Sequence, residues 1–221
     1  MKKQFGWGRA VLALVLCLTI TLAGCSTSWI SEAEEIVAAL IPAASNLIAL
    51  VAAMQGKSVS ASDLATIQNA GSQAGADLQL IQSLITAYQQ ADASAQPGIL
   101  NQIESAIQAV QGLLQGLLPA LHIKDAATQA KVTAVVGIVL SEVQSLAALV
   151  PIVKNQPSVA SGQLAEKAGV KAPLTADQFV ASYNATMTAK TGNAELDRAT
   201  ASLKIHVHSK LERWATVGVL K

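Results

Sequence analysis

The sequence is poor in charge, poor in aromatics and almost without cysteine. Of 221 residues, 13% are charged, seven are aromatic and two are cysteine. A net charge of +1 argues against a strongly basic nucleic-acid binder, and base-stacking aromatics are scarce, so nucleic acid is not an expected partner. Fourteen glycines and six prolines are too few for a collagen-like or low-complexity chain. What the chain does have is apolar bulk, at 52% of residues. That much apolar content excludes intrinsic disorder and is enough to build a sizeable core.

The apolar residues are not evenly placed. Lys2, Lys3 and Arg9 form a basic start, and no acid occurs before Glu32. From Ala10 to Leu22 the chain reads AVLALVLCLTITL, the length of a signal-peptide h-region and short of the ~20 residues of a membrane span. The run ends in Leu22-Ala23-Gly24-Cys25. This tetrapeptide resembles the lipobox of bacterial lipoproteins at every position. Small residues at Ala23 and Gly24 let a peptidase approach the backbone, and Cys25 offers a nucleophilic sulfur. The resemblance implies cleavage before Cys25, a thioether to a diacylglyceryl group and acylation of the new amino group. Several acyl chains give stable anchoring where one gives marginal binding.

With Cys17 lost in the signal and Cys25 consumed by lipid, no thiol remains. Thiol catalysis, a CxxC redox pair and a zinc–thiolate site are therefore excluded from the mature chain. The expected location is the cell envelope, on the outer-membrane periplasmic side in a diderm host, with the membrane as a partner through the lipid on Cys25.

The expected organisation is a signal peptide over 1–24, a lipidated tether over 25–30, a four-helix bundle over 31–153, a linker over 154–174 and a C-terminal helical hairpin over 175–221. The fold class is all-α, an antiparallel four-helix bundle with a C-terminal helical extension. Ser31 and Glu34 form a capping-box pair for the first helix. Ile36, Leu40, Ala43, Leu47, Leu50 and Met54 make its main seam, and Val37, Ile41, Ala44, Ile48 and Val51 an adjacent one, so this helix should be the most buried. Pro42 should kink it.

Ser60 and Asp63 open the second helix, with the seam Leu64, Ile67, Gly71, Ala74, Leu78, Ile81, Ile85 and Tyr88. Gly71, Ala74 and Gly75 leave room for a close neighbour. The third helix runs from Gln96 to Leu118 on Leu100, Ile103, Ile107, Val110, Leu114 and Leu117, and ends at Pro119. Asp125 caps the fourth, on Val132, Val136, Val139, Val143, Leu146 and Val150. Steps of three and four with short loops point to antiparallel neighbours at shallow angles.

Beyond Val153 the texture changes. Pro157, Gly162, Gly169 and Pro173 mark a linker. Thr175 with Gln178 opens a short helix carrying Phe179, Val180, Tyr183 and Met187. Asn193 caps a last segment, 194–217. There Leu196, Leu203, Val207, Leu211 and Trp214 suit a helix, whereas Leu203, Ile205 and Val207 alternate as in a strand. Length favours the helix.

Chemistry is sparse. His206, His208 and Glu212 are the nearest approach to a metal set. On a strand the two imidazoles would point the same way, but on a helix they lie about 200° apart, leaving His208 and Glu212 to share a face. Further ligands are missing, so no metal and no cofactor is expected. There is no GxSxG turn, P-loop or GxGxxG, and no Glu-x-x-His pair of a di-iron bundle. Glu32, Glu34 and Glu35 are explained by the dipole of the first helix. No catalytic residue is assigned and an enzyme is not expected.

Three functional readings follow. The first is a lipid-anchored bundle with a structural or binding role, meeting a protein partner or a second copy. The second is a membrane-inserting or self-associating bundle, because Ile36–Met54 and Val132–Val153 are long and apolar. Against spanning, Pro42, Ser45 and Asn46 interrupt the first stretch, and Glu142 and Gln144 the second. The third is a carrier of a small apolar ligand held between helices.

Overall fold

The computed structural model describes residues 28–54, 59–120, 122–151 and 174–206. Leu22, Ala23, Gly24 and Cys25, the 154–174 linker except Leu174, and His208 and Glu212 lie outside the described residues.

Among the described residues the chain is all-helical. Four long helices, α1 (Ser28–Ala53), α2 (Ala61–Gln90), α3 (Gln96–Ala120) and α4 (Ala126–Leu149), precede two short ones, α5 (Ala176–Thr188) and α6 (Ala194–Ala201). α1 packs on α2 and α4, and α3 packs on the same two helices, so the four contacts close a ring. α5 lies on α4 and α1, and α6 on α5 and α1.

The heptad-like seams explain the packing. Every seam position of α2, α3 and α4 anticipated from the three-and-four spacing is buried, from Leu64 to Tyr88, Leu100 to Leu117 and Val132 to Val150. In α1 the main seam is fully buried, and Ile41 and Ile48 of the second seam are half-buried. Burial gives roughly 25 cal/mol per Å² of apolar surface, so these aligned stripes supply the driving force that propensity alone does not. One continuous core runs from Trp29 to Ile205 and takes in Phe179, Tyr183, Met187 and Leu196 of the C-terminal helices.

The caps fix the ends. Ser60 Oγ accepts from the Asp63 N–H at 3.1 Å, Asp125 Oδ2 accepts from the Thr128 N–H at 2.7 Å, and Thr175 and Gln178 form a complete capping box. Asn193 Oδ1 accepts from the N–H groups of Glu195 and Leu196. The Asp63 carboxylate does not reach back to the backbone of its own cap. Its Oδ2 accepts from the Ser60 hydroxyl at 2.6 Å, and its Oδ1 from the His122 N–H at 3.4 Å, which ties the start of α2 to the segment after α3.

The structure departs from the sequence expectations at the start of α1 and at the end of the last helix. α1 begins at Ser28, a turn before the Ser31–Glu34 pair, because Trp29 and Ile30 are apolar and bury against the core. Glu32, Glu34 and Glu35 therefore lie past the first turn, and the helix dipole does not account for them. Pro42 lies inside α1 as expected, and the carbonyl that it cannot serve belongs to Ala38, on the exposed side where water can. The last helix ends at Ala201, not near 217. Residues 203–206 are non-helical, with Leu203 half-buried, Lys204 exposed, Ile205 buried and His206 exposed. That alternation is the period of an extended chain.

The small-residue patch of α2 is narrower than expected. A Cβ on Gly71 would lie 2.5 Å from Ile48 Cγ1, so α1 comes close there, whereas a Cβ on Gly75 would meet nothing within 4 Å. Gly75→Ala is expected to raise stability by about 0.5–1 kcal/mol through helix propensity. Gly71→Ala is expected to lower it, since overpacking costs about 1–3 kcal/mol and outweighs the same propensity gain. Thermal melts of the pair check this; a gain at both positions would contradict the close approach.

Candidate functional site

The unusual chemistry lies on α4, on a second seam beside the one its valines mark. Thr128, Lys131, Val135, Glu142 and Ser145 are all buried, and four of them are polar. α5 covers this side of α4. Lys131 Nζ donates to the Ala189 carbonyl at the end of α5 at 2.7 Å, and Ser145 Oγ accepts from the Leu174 N–H just before α5 at 3.0 Å. Two polar groups thus pin the two ends of α5. Burial holds the Lys131 ammonium below the usual lysine range, and Asp197 opposes this in part.

Glu142 differs. Its side chain is fully buried, and neither carboxylate oxygen has a hydrogen-bond partner among the described residues. Burial pushes its pKa from 4.5 up to about 8, and the negative charge of Glu32 on α1 adds to the rise. At neutral pH the carboxyl is mostly protonated, which is how an unpaired acid is tolerated among apolar side chains. Lys131 does not neutralise it, because the two lie about 16 Å apart along the helix. The signal was legible: Glu142 falls three residues after Val139 and four before Leu146, in phase with the buried seam.

A second polar group joins α1 and α5. Asn46 Nδ2 donates to the Leu203 carbonyl at 2.9 Å. Asn184 Nδ2 donates to the Ile205 carbonyl at 2.9 Å, and its Oδ1 accepts from the Ile205 N–H at 2.8 Å. Asn46, awkward at the centre of an apolar helix, is satisfied by a residue 157 positions away. Tyr183 is fully buried beside it. Burial pushes its phenol up, Asn46 opposes part of the shift, and the hydroxyl makes no hydrogen bond of good geometry among the described residues.

His206 is exposed and lies on the non-helical segment, so the helical premise for splitting it from His208 does not hold at His206. Among the described residues no three His, Cys, Asp or Glu side chains cluster as metal ligands. His122 is exposed, with Nδ1 3.5 Å from Asp63 Oδ1. Hydrogen bonds from Ser60 and from the His122 backbone hold the Asp63 carboxyl below its ordinary range, against the opposing effect of burial.

An open groove of about 410 Å³ lies between α2 and α3, lined by Asp77, Leu80, Asn101, Gln102, Ser105 and Ala106. Leu80 is the exposed large hydrophobic among the described residues. The arrangement as a whole offers an internal acid, an internal cation and a pair of amides engaged on main chain. Hydroxyls do meet carboxylates, Ser60 on Asp63 and Thr128 on Asp125, but at helix starts, where the same groups serve as caps. No family model matches the chain, and no curated protein or solved structure matches it either.

Proposed function

We propose that the chain is a lipid-anchored bundle protein of the cell envelope with a structural or binding role rather than a catalytic one. The observation that carries this reading is Leu22-Ala23-Gly24-Cys25 following a basic start and an h-region of signal length. In this reading α1–α4 form an antiparallel four-helix bundle, and α5–α6 are laid along its α1–α4 side. Cross-contacts between opposite helix ends support the antiparallel order. Gln89 at the end of α2 donates to Glu34 near the start of α1 at 2.9 Å, and Trp29 meets Tyr88 edge-to-face at 5.3 Å. Asp63 at the start of α2 meets His122 just past α3.

Cys25→Ser is the direct test. It is expected to leave unprocessed precursor, or a protein without the lipid mass, by mass spectrometry and by labelling with a fatty-acid analogue. Normal lipid labelling of that variant would refute the anchor.

A second reading, insertion into the bilayer, draws on two helices that are long and apolar enough to cross a membrane, Trp29–Ala53 and Ala126–Leu149, whose most apolar 18-residue stretches have mean hydropathies of 2.2 and 1.8. Their outward residues weigh against it. The exposed positions of α1 are Ser31, Ala38, Ser45, Ala49, Ala52 and Ala53, and those of α4 are alanines with Gln129, Thr133 and Gly137. Large apolar side chains on these helices turn inward, as in the core of a bundle. The third reading, an apolar-ligand carrier, finds little support in the groove between α2 and α3, which is open and rimmed by Asp77, Asn101, Gln102 and Ser105.

A further inference from the structure

The open groove between α2 and α3 holds acceptors with nothing to accept from. Asp77, on the α2 side, is half-buried and makes no hydrogen bond or ion pair among the described residues. Asn101 Oδ1, on the α3 side, is buried and has no hydrogen-bond partner among them either. Such groups are ordinarily matched. Leu80, 48% exposed, and Ala106 add apolar surface beside them. A free carboxylate, an unmatched amide oxygen and an exposed leucine together suit N–H donors of positive charge carried next to apolar side chains. The surrounding helices cannot supply these: from Ser58 to Ile123 the chain has Asp63, Asp77, Asp92 and Glu104 but no lysine or arginine. Residues 207–221, outside the described residues, have that chemistry. They carry Lys210, Arg213 and Lys221 against Glu212, with Leu211 next to Lys210 and Trp214 next to Arg213. The other basic stretch, 154–173, has no aromatic and is tethered at both ends, to α4 and to α5.

We propose that the α2–α3 groove binds residues 207–221 of a second copy of the chain, with Lys210 and Arg213 at Asp77 and Asn101, and Leu211 and Trp214 against Leu80 and Ala106. The starting point of that tail selects the second copy over the same chain. Asn46 of α1 holds the Leu203 carbonyl, and α5 and α6 pack on α1 and α4. That is the edge of the helix ring opposite the groove. A chain's own tail sets out on the wrong side of the bundle, whereas a neighbour presents its tail to the groove directly. The contact is heterologous, one surface of one copy on a different surface of the next. Its charges lie on an open rim, so salt weakens it. The inference rests on the binding role proposed above, for which it names the partner, and is independent of the anchor at Cys25.

The test uses the full mature chain from Ser26 onward, without lipid, in sedimentation velocity over a concentration series. Mass should rise above that of the monomer with concentration, and less so at high salt. Leu80→Gln, Asp77→Lys, and Lys210→Glu together with Arg213→Glu should each weaken the association at least tenfold. Leu80 is exposed and Asp77 half-buried, so helical circular dichroism should be unchanged in their variants. Asp77→Lys combined with the two tail reversals should restore association, a rescue that general stickiness does not give. A fluorescein-labelled peptide of residues 207–221, followed by anisotropy, should bind the chain with the two tail reversals and not the Asp77→Lys chain. A monomer at every concentration up to about 300 μM would overturn the proposal. So would association indifferent to Leu80 and Asp77, or the absence of rescue. Peptide binding at the groove with the full chain still monomeric would put each tail on its own bundle, and would overturn the second copy as the occupant.

Discussion

Ile81→Asp is expected to unfold the protein at neutral pH, and Gln82→Asp to leave the melting temperature within a degree or two of wild type. Ile81 is fully buried in the middle of the unbroken α2 seam, and Gln82 is exposed. One residue of helix is about 100° of rotation, which carries the side chain from the core to water. An uncompensated buried charge costs about 3–5 kcal/mol, a large part of the roughly 5–15 kcal/mol that ordinary domains possess. Protonation offers the new acid an escape, so the variant should be less damaged at pH 5 than at pH 8. Circular dichroism melts of both variants decide the matter. Equal melting temperatures would mean that the helical phase is wrong.

Glu142→Gln should do the opposite and stabilise the protein, but only above mildly acidic pH. The pKa of Glu142 in the folded chain, about 8, lies above the ordinary 4.5. Between those values the folded chain retains a proton that the unfolded chain has released. Stability is therefore greatest, as far as this group is concerned, below pH 4.5, and it falls as pH rises towards 8. Each pH unit in this window costs at most about 1.4 kcal/mol, and relaxation of the surroundings around the charged form brings the whole loss to roughly 2–4 kcal/mol. Glutamine keeps the size of the protonated acid and does not ionise. The variant should match wild type near pH 5 and melt about 5–12 °C higher at pH 8. Glu32→Gln should give part of the same gain, because Glu32 contributes the second cause of the raised pKa. Asp63, Asp125 and Asp197 do not confuse the measurement. Hydrogen bonds hold all three below the ordinary 3.8, so their contribution is lost only at lower pH, with the opposite slope. An unchanged pH slope in Glu142→Gln would show that another group titrates.

Periodicity made most of the helical framework legible. Uninterrupted steps of three and four put Leu64–Tyr88, Leu100–Leu117 and Val132–Val150 in the core, and Ser60, Asp125, Thr175 and Asn193 marked starts that the hydrogen bonds match. The beginning of α1 was less legible, since the Ser31–Glu34 pair is a sound cap signal that the burial of Trp29 and Ile30 overrides. At 203–206 two periods competed in the same residues. Length favoured a helix, and two side-chain amides from other helices favoured the alternative. Those amides are remote: Asn46 lies 157 positions from its partner and Asn184 lies 21. No local pattern announces such a pairing, so the polar groups that hold the C-terminal segment emerge only in three dimensions. Glu142 is the reverse case. Its phase was readable, and what concealed it was the assumption that an acid faces water.

In the proposed function, lipid on Cys25, and not the apolar length of α1 or α4, holds this protein at the membrane. The most direct measurement replaces residues 1–25 with a cleavable secretory signal that lacks a lipidation cysteine, then fractionates the cells and washes the membranes with alkaline carbonate. The secreted chain is expected in the soluble envelope fraction with its helical circular dichroism intact. Recovery in the carbonate-resistant pellet would contradict the lipid anchor as the sole attachment, and would mean that the helices themselves enter the bilayer.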